Sequence, residues 1–165
     1  MGAELKEEDF SEHLFVASTK DYLLIFTNRG RCYWLKVYDV PSMTRQSKGR
    51  NIVNLLAMGD QKIASIIKVS DFGSEEEPEE KGRQLIMATK NGTVKKTKLS
   101  AYGNPRTTGV IAINLDPNDD LIGVSMTTGR DDVILGTRDG MTIRFNEKQA
   151  RSKGRASRGV RGIKL

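Results

Sequence analysis

One short motif recurs three times along this 165-residue chain: a polar turn that begins with Thr and ends with Gly. Each copy follows an apolar run and precedes a segment in which basic and apolar residues are mixed. Because glycine accepts the positive φ angle of a tight turn, the pattern predicts three β-hairpins. Their turns are expected to centre on residues 28–30, 91–92 and 139–140.

A second glycine follows each hairpin glycine by 17 to 19 residues and lies six residues before a leucine. These second glycines are Gly49, Gly109 and Gly159. A strand-like run also precedes each hairpin, at residues 13–17, 63–67 and 121–125. The repeating unit is therefore strand, hairpin, long basic loop and strand, and its length of roughly 50 residues is typical of a β-propeller blade.

We expect an all-β fold made of about three four-stranded blades in a single repeat domain over residues 1–165. The blade-like units are predicted at residues 13–58, 62–118 and 120–165. Residues 71–83 lengthen the second unit; they are acidic and lack apolar periodicity, which is typical of a solvated loop.

Composition narrows the class of partner. The chain has a net charge of +6 and a pI near 9.5, which favours a polyanion, nucleic acid before membrane. No apolar stretch is long enough to span a membrane, so no membrane partner is expected. Cys32 is the only cysteine, which excludes an intrachain disulfide and is typical of a cytoplasmic protein.

No catalytic or metal-binding constellation is visible. His13 has no second histidine and no cysteine at ligand spacing, so we predict no metal and no cofactor. Trp34 has two interpretations, a platform for stacking DNA bases or a packing residue between blades, and the second is favoured because aromatic residues chiefly contribute buried area.

The repeats resemble the C-terminal domain of the GyrA-type chain of DNA gyrase, a domain type shared with topoisomerase IV. The resemblance spans essentially the whole chain, and its motifs occupy residues 6–10, 33–37, 45–56, 87–89, 91–97 and 159–162. It implies a β-pinwheel, a variant of the propeller, that wraps double-stranded DNA around a basic rim. It also implies a cytoplasmic, nucleoid-associated bacterial enzyme, with the gyrase B subunit, together with the rest of the gyrase A subunit, as protein partners.

Two departures from the family pattern are visible. The Gly-, Arg- and Lys-rich box that the family uses for wrapping is not found; residues 46–50 only echo it within a repeat loop. Three units are also fewer than a complete pinwheel, which indicates a fragment, a truncated paralogue or an engineered half. Open blade edges are then expected to favour self-association.

The candidate DNA contacts are basic residues in turns, loops and outward strand positions, where they would bind phosphates with little reading of bases. Lys96 and Arg144 lie four residues beyond a hairpin glycine, at the position that Trp34 has in the first unit, and this position should form a curved outer stripe. Residues 131–165 contain nine basic and four acidic side chains, a net charge of +5, and should dominate binding. The candidates are Arg29, Arg31, Arg45, Lys48, Arg50, Lys90, Lys95, Lys96, Lys98, Arg106, Arg138, Arg144, Lys148, Arg151, Lys153, Arg155, Arg158 and Arg161.

We therefore expect a DNA-binding and DNA-bending module of a DNA gyrase A subunit. It would have no catalytic residue of its own and would support negative supercoiling by the whole ATP-dependent type IIA topoisomerase. The alternative is a protein-interaction propeller without DNA binding, but the Trp-Asp and Gly-His dipeptides of WD40 blades are absent. An enzymatic propeller would need convergent carboxylates or histidines, and the chain has one histidine.

Overall fold

The computed structural model describes residues 12–74, 76–78 and 81–165. Residues 1–11 and three glutamates of the acidic loop, Glu75, Glu79 and Glu80, lie outside the described residues. None of the helices in these described ranges could span a membrane. The strands are β1 (Tyr22–Thr27), β2 (Arg31–Lys36), β3 (Ile63–Val69), β4 (Gln84–Thr89), β5 (Thr93–Lys98), β6 (Val110–Ile111), β7 (Leu121–Thr127), β8 (Asp132–Gly136), β9 (Thr142–Asn146) and β10 (Val160–Arg161). Short 3-10 helices cover Val37–Asp39, Ile52–Leu55, Leu99–Tyr102 and Glu147–Gln149.

All three predicted hairpins are confirmed, as β1–β2, β4–β5 and β8–β9. Their glycines, Gly30, Gly92 and Gly140, have φ angles of 74°, 80° and 85°. In each turn the glycine N–H donates to the carbonyl of the threonine that opens the motif, at 2.9 to 3.1 Å. The threonine hydroxyl in turn accepts the N–H of the residue after the glycine, at 3.0 to 3.3 Å. The motif is therefore a turn closed by two hydrogen bonds to one threonine.

The strands form two four-stranded antiparallel sheets, in the orders β3-β1-β2-β6 and β10-β5-β4-β7, and a two-stranded sheet, β8-β9. In the first sheet Leu24 lies opposite Trp34 on one side and Ile67 on the other. The two central strands of each four-stranded sheet are a hairpin from one sequence unit, and the two outer strands come from the next unit. Successive units are therefore interlocked through their sheets.

This exchange of strands explains where the described structure differs from the expected unit. Residues 13–17 form no strand, and the run after Gly49 forms the 3-10 helix Ile52–Leu55. In the other two units these runs pair with the preceding hairpin. Over the described residues the third sheet has two strands, β8 and β9.

Both faces of β1 are buried, as its continuous apolar run predicts. Leu24 and Phe26 point into a cluster shared with β4 and β7, whereas Ile25 points into a second cluster with Tyr33 and Met58. Trp34 packs against the larger cluster, and its indole N–H donates to the carbonyl of Tyr102 at 2.8 Å. The packing interpretation of this tryptophan is therefore the one that its contacts support.

Candidate nucleic-acid interface

Most of the candidate DNA contacts lie on the surface. They occupy the hairpin turns, the loop after the first hairpin, the loops before the second glycines and the last sheet. Twelve of the eighteen are exposed: Arg29, Arg45, Lys48, Arg50, Lys90, Arg106, Arg138, Arg144, Lys148, Arg151, Arg158 and Arg161.

Four candidates are half-buried: Arg31, Lys98, Lys153 and Arg155. The side chains of two of them, Arg31 and Lys98, bind to loops. The guanidinium of Arg31 donates to the carbonyl of Thr108 at 2.9 Å and lies 5.9 Å from the ring centre of Tyr33. The ammonium of Lys98 donates to the carbonyl of Glu77 at 3.0 Å, at the acidic loop. These side chains are partly engaged in holding loops.

Lys95 and Lys96 are buried, each at 1% exposure, so the expectation that they contact DNA from the surface is corrected. Of the three residues placed in the predicted outer stripe, only Arg144 is exposed. The reason is that the second strand of the hairpin packs on both faces within the repeat array. A basic residue there is covered by the loop of the following unit.

The two buried lysines form hydrogen bonds that hold the loop of the following unit in place. The Lys95 ammonium donates to the carbonyl of Ala112 at 2.6 Å and to that of Arg155. The Lys96 ammonium donates to the carbonyl of Glu147 at 3.0 Å, and its own backbone carbonyl accepts the N–H of Lys153 at 2.8 Å. Residues 147–155 are therefore attached to β5 at both ends.

Glu147 is the polar centre of this attachment and is fully buried. Its carboxylate lies 3.6 Å from the ammonium of Lys96. One oxygen accepts the hydroxyl of Thr127 and the other accepts the N–H of Asp131, both at 2.8 Å. The carboxylate thus joins β5, the end of β7 and the start of the last sheet.

The second glycine of the repeat fixes where two of the basic loops end. A Cβ at Gly109 would lie 2.7 Å from a ring carbon of Tyr33, and one at Gly159 would collide with the carbonyl of Val94. Beyond these glycines, β6 pairs with β2 and β10 pairs with β5. Each loop therefore ends against the hairpin of the preceding unit, which gives the two loops equivalent positions.

The same equivalence appears at the hairpin turns. The carbonyl of Gly30 accepts the N–H of Ala112 at 2.8 Å, and the carbonyl of Gly92 accepts the N–H of Gly162 at the same distance. The third basic loop, residues 147–159, also contacts the second unit, because Arg158 lies 3.2 Å from the carboxylate of Asp116. The same backbone hydrogen bond therefore recurs next to the exposed basic residues of both hairpin turns.

Burial changes the acid–base behaviour of the interior below the third loop. Burial, together with the positive charges of Arg155 and Lys153, lowers the pKa of Lys95 to about 7. Burial raises the pKa of the Cys32 thiol and of the Tyr102 hydroxyl. Cys32 is a free, buried cysteine.

Among the described residues, no group of three or more His, Cys, Asp or Glu side chains comes together as a metal site. The residues that sequence reasoning missed are Glu147 and the turn threonines. The sequence could have revealed the threonines, because Thr opens all three copies of the turn motif. Nothing in the sequence marks a lone glutamate in a basic loop as important.

Comparison with known proteins agrees with this architecture. The family model described as the DNA gyrase C-terminal domain, a β-propeller, matches residues 21–70, 83–128 and 131–165. The DNA gyrase A subunit of Salmonella typhimurium is 46% identical over 164 residues, which are 99% of this chain and 18% of that protein. Its counterpart in Escherichia coli has the same identity and coverage. The chain thus spans about one fifth of the length of these relatives.

Two solved structures have the same fold. The C-terminal domain of DNA topoisomerase IV superimposes with a TM-score of 0.78 at 31% identity, over 89% of this chain and 44% of that one. The DNA gyrase A C-terminal domain superimposes with a TM-score of 0.70 at 25% identity, over 90% and 45%. Because the family model matches three segments that together make up most of the chain, the chain belongs to the family of DNA gyrase C-terminal β-propeller domains.

Proposed function

We propose that this chain is the DNA-binding and DNA-bending module of a DNA gyrase A subunit, and that it works through phosphate contacts on its exposed basic loops and turns. The observation that supports this most is the third basic loop, in which exposed arginines lie on a backbone attached to β5 from within. Such an arrangement presents cations in a fixed geometry, so that less conformational entropy is lost when they meet a phosphate backbone.

The mechanism requires basic residues at suitable positions on the surface, and no covalent bond is formed or broken. Basic loops of successive units end at equivalent places, against the hairpin of the preceding unit. A duplex that follows these loops meets cations at regular intervals, and neutralising the phosphates on one side favours bending toward the protein. Because the proposed contacts are made to phosphates by basic residues in loops and turns, they should tolerate any base sequence.

In this proposal the module is accessory to an ATP-dependent type IIA topoisomerase and performs no catalytic step. Its partners are double-stranded DNA, the gyrase B subunit, plus the remainder of the gyrase A subunit, in the bacterial cytoplasm at the nucleoid. A second copy is a further partner, because Ile134 in β8 and Met141, just before β9, are exposed at 66% and 68%. Light scattering after size-exclusion chromatography tests that point: dimers support it, and a monomer at all concentrations contradicts it.

Two charge-matched double variants test DNA binding. Arg151→Ala with Arg158→Ala removes two exposed arginines from the third loop, whereas Arg83→Ala with Arg130→Ala removes two exposed arginines outside the candidate set. Gel-shift titrations on a duplex of arbitrary sequence should show at least about tenfold weaker binding for the loop variant, since each lost phosphate contact removes counterion release. Equal affinities of the two variants would refute the proposed surface.

A further inference from the structure

Lys95 is buried beneath the third basic loop, so a contact with DNA phosphates does not explain its place there. Its ammonium lies beneath the loop and donates to the carbonyl of Arg155, and to that of Ala112 at 2.6 Å. Of the described residues, both of its hydrogen-bond partners are backbone carbonyls, one in the loop and one just after β6. The side chain thus joins the loop of unit 3 to the last strand of unit 2.

We propose that Lys95 is a positioning residue for DNA binding: from inside the molecule it holds residues 151–158, so that Arg151 and Arg158 meet phosphates in a fixed arrangement. The inference rests on the proposed DNA-binding function. A loop with this many like charges would otherwise spread over many conformations, and ordering it on binding would reduce affinity.

The groups around Lys95 make its hydrogen bond to the loop sensitive to the charges that the loop carries. From the loop, Arg155 and Lys153 face it with like charge. Arg155 also interacts electrostatically with Cys32 of β2 and with Tyr102, whose pKa values are raised by burial, so that both are neutral near pH 7. The Lys96–Glu147 pair belongs to the other face of β5, because neighbouring strand residues point to opposite faces. Arg155 and Lys153 are thus the charges that a bound phosphate would offset.

A protonation linkage follows from this arrangement. In the free protein burial and the nearby charges of Arg155 and Lys153 lower the pKa of Lys95 to about 7, so the ammonium is largely deprotonated at pH 8.5. A phosphate at Arg155 or Lys153 adds negative charge nearby and raises that pKa. DNA binding should therefore take up a proton, and the affinity should fall as the pH rises from 6.5 to 8.5.

The test measures dissociation constants for a duplex at fixed salt and at pH 6.5, 7.5 and 8.5. All proteins carry His13→Gln, which removes the single histidine, the residue type whose charge normally changes in this range. The parent protein should lose roughly 3- to 20-fold in affinity across the range, the upper limit being full proton uptake at Lys95. Lys95→Met should bind more weakly at pH 6.5 and lose the pH dependence. Lys20→Met, an exposed lysine outside the candidate set, should keep it.

Tryptic cleavage without DNA tests the attachment separately from DNA binding. Lys95→Met should be cut several-fold faster after Arg151 and Lys153 than the parent, and Lys20→Met should match the parent. If Lys95→Met does not fold, Lys95→Arg replaces it, because arginine keeps the donors but does not titrate. It should protect the loop and bind DNA without a pH dependence.

An unchanged cleavage pattern together with an unchanged pH profile in Lys95→Met would overturn the inference. If the parent protein does not bind DNA at all, the proposed function fails, and the cleavage rates still decide whether Lys95 holds the loop.

Discussion

The ammonium of Lys96 lies 3.6 Å from the carboxylate of Glu147, and both side chains are almost completely buried. This pair connects the second four-stranded sheet to the segment that begins the third basic loop. Removing one partner of such a pair leaves a buried charge without the opposite charge that it faces.

We therefore expect Glu147→Gln to destabilise the protein by about 3–5 kcal/mol in urea unfolding, the range for breaking a buried ion pair. Asp132→Asn is the control, because its pair with Arg144, also at 3.6 Å, is exposed. An exposed pair contributes at most about 1 kcal/mol. Similar losses in the two variants would show that the buried pair does not hold the sheets together.

The second glycines give a matched series at equivalent repeat positions. Gly109 has a φ angle of 71° and no room for a Cβ beside Tyr33, whereas Gly49 has nothing within 4 Å of the same atom. Gly109→Ala should therefore cost about 1–3 kcal/mol of unfolding free energy through backbone strain and overpacking. Gly49→Ala should change it by less than about 0.5 kcal/mol. Thermal melts of the two variants check this, and a neutral Gly109→Ala would contradict the close approach of β6 to β2.

The local parts of the fold were predictable from sequence, and the parts made by the next unit were not. Thr27 and Gly30 close their own turn, so a four-residue motif contains all the information that its hairpin needs. The burial of Lys95 and Lys96 depends on residues 147–155, more than 50 positions away, whose path is set by Gly159 against β5. From sequence alone, a strand with several basic residues is expected to be exposed. Only the path of the loop that covers it shows that it is buried.

The low pKa of Lys95 predicts how stability depends on pH. Folding lowers this pKa from an ordinary value of 10.5 to about 7, so between these values the unfolded chain binds more protons than the folded one. Lys95 should therefore make the protein more stable as the pH rises from 7 toward 10, by up to about 1.4 kcal/mol per pH unit. Below pH 7 its contribution should be constant, since both states are protonated.

Urea unfolding at pH 6, 7, 8 and 9 measures this contribution as a difference between proteins. The stability of Lys95→Met relative to Lys20→Met should decline steadily from pH 7 to pH 9. Parallel curves for the two variants over the whole range would mean that Lys95 remains protonated in the folded protein.

The salt dependence of DNA binding tests whether the exposed basic loops bind the phosphates of DNA. The measurement is the dissociation constant for a duplex of arbitrary sequence at several salt concentrations from 50 to 200 mM. If about six phosphates are neutralised, affinity should fall by roughly a thousandfold across this range. Arg151→Ala with Arg158→Ala should reduce the slope of log affinity against log salt by about two, one for each contact removed. A flat salt response, or a slope that the two substitutions leave unchanged, would contradict the account.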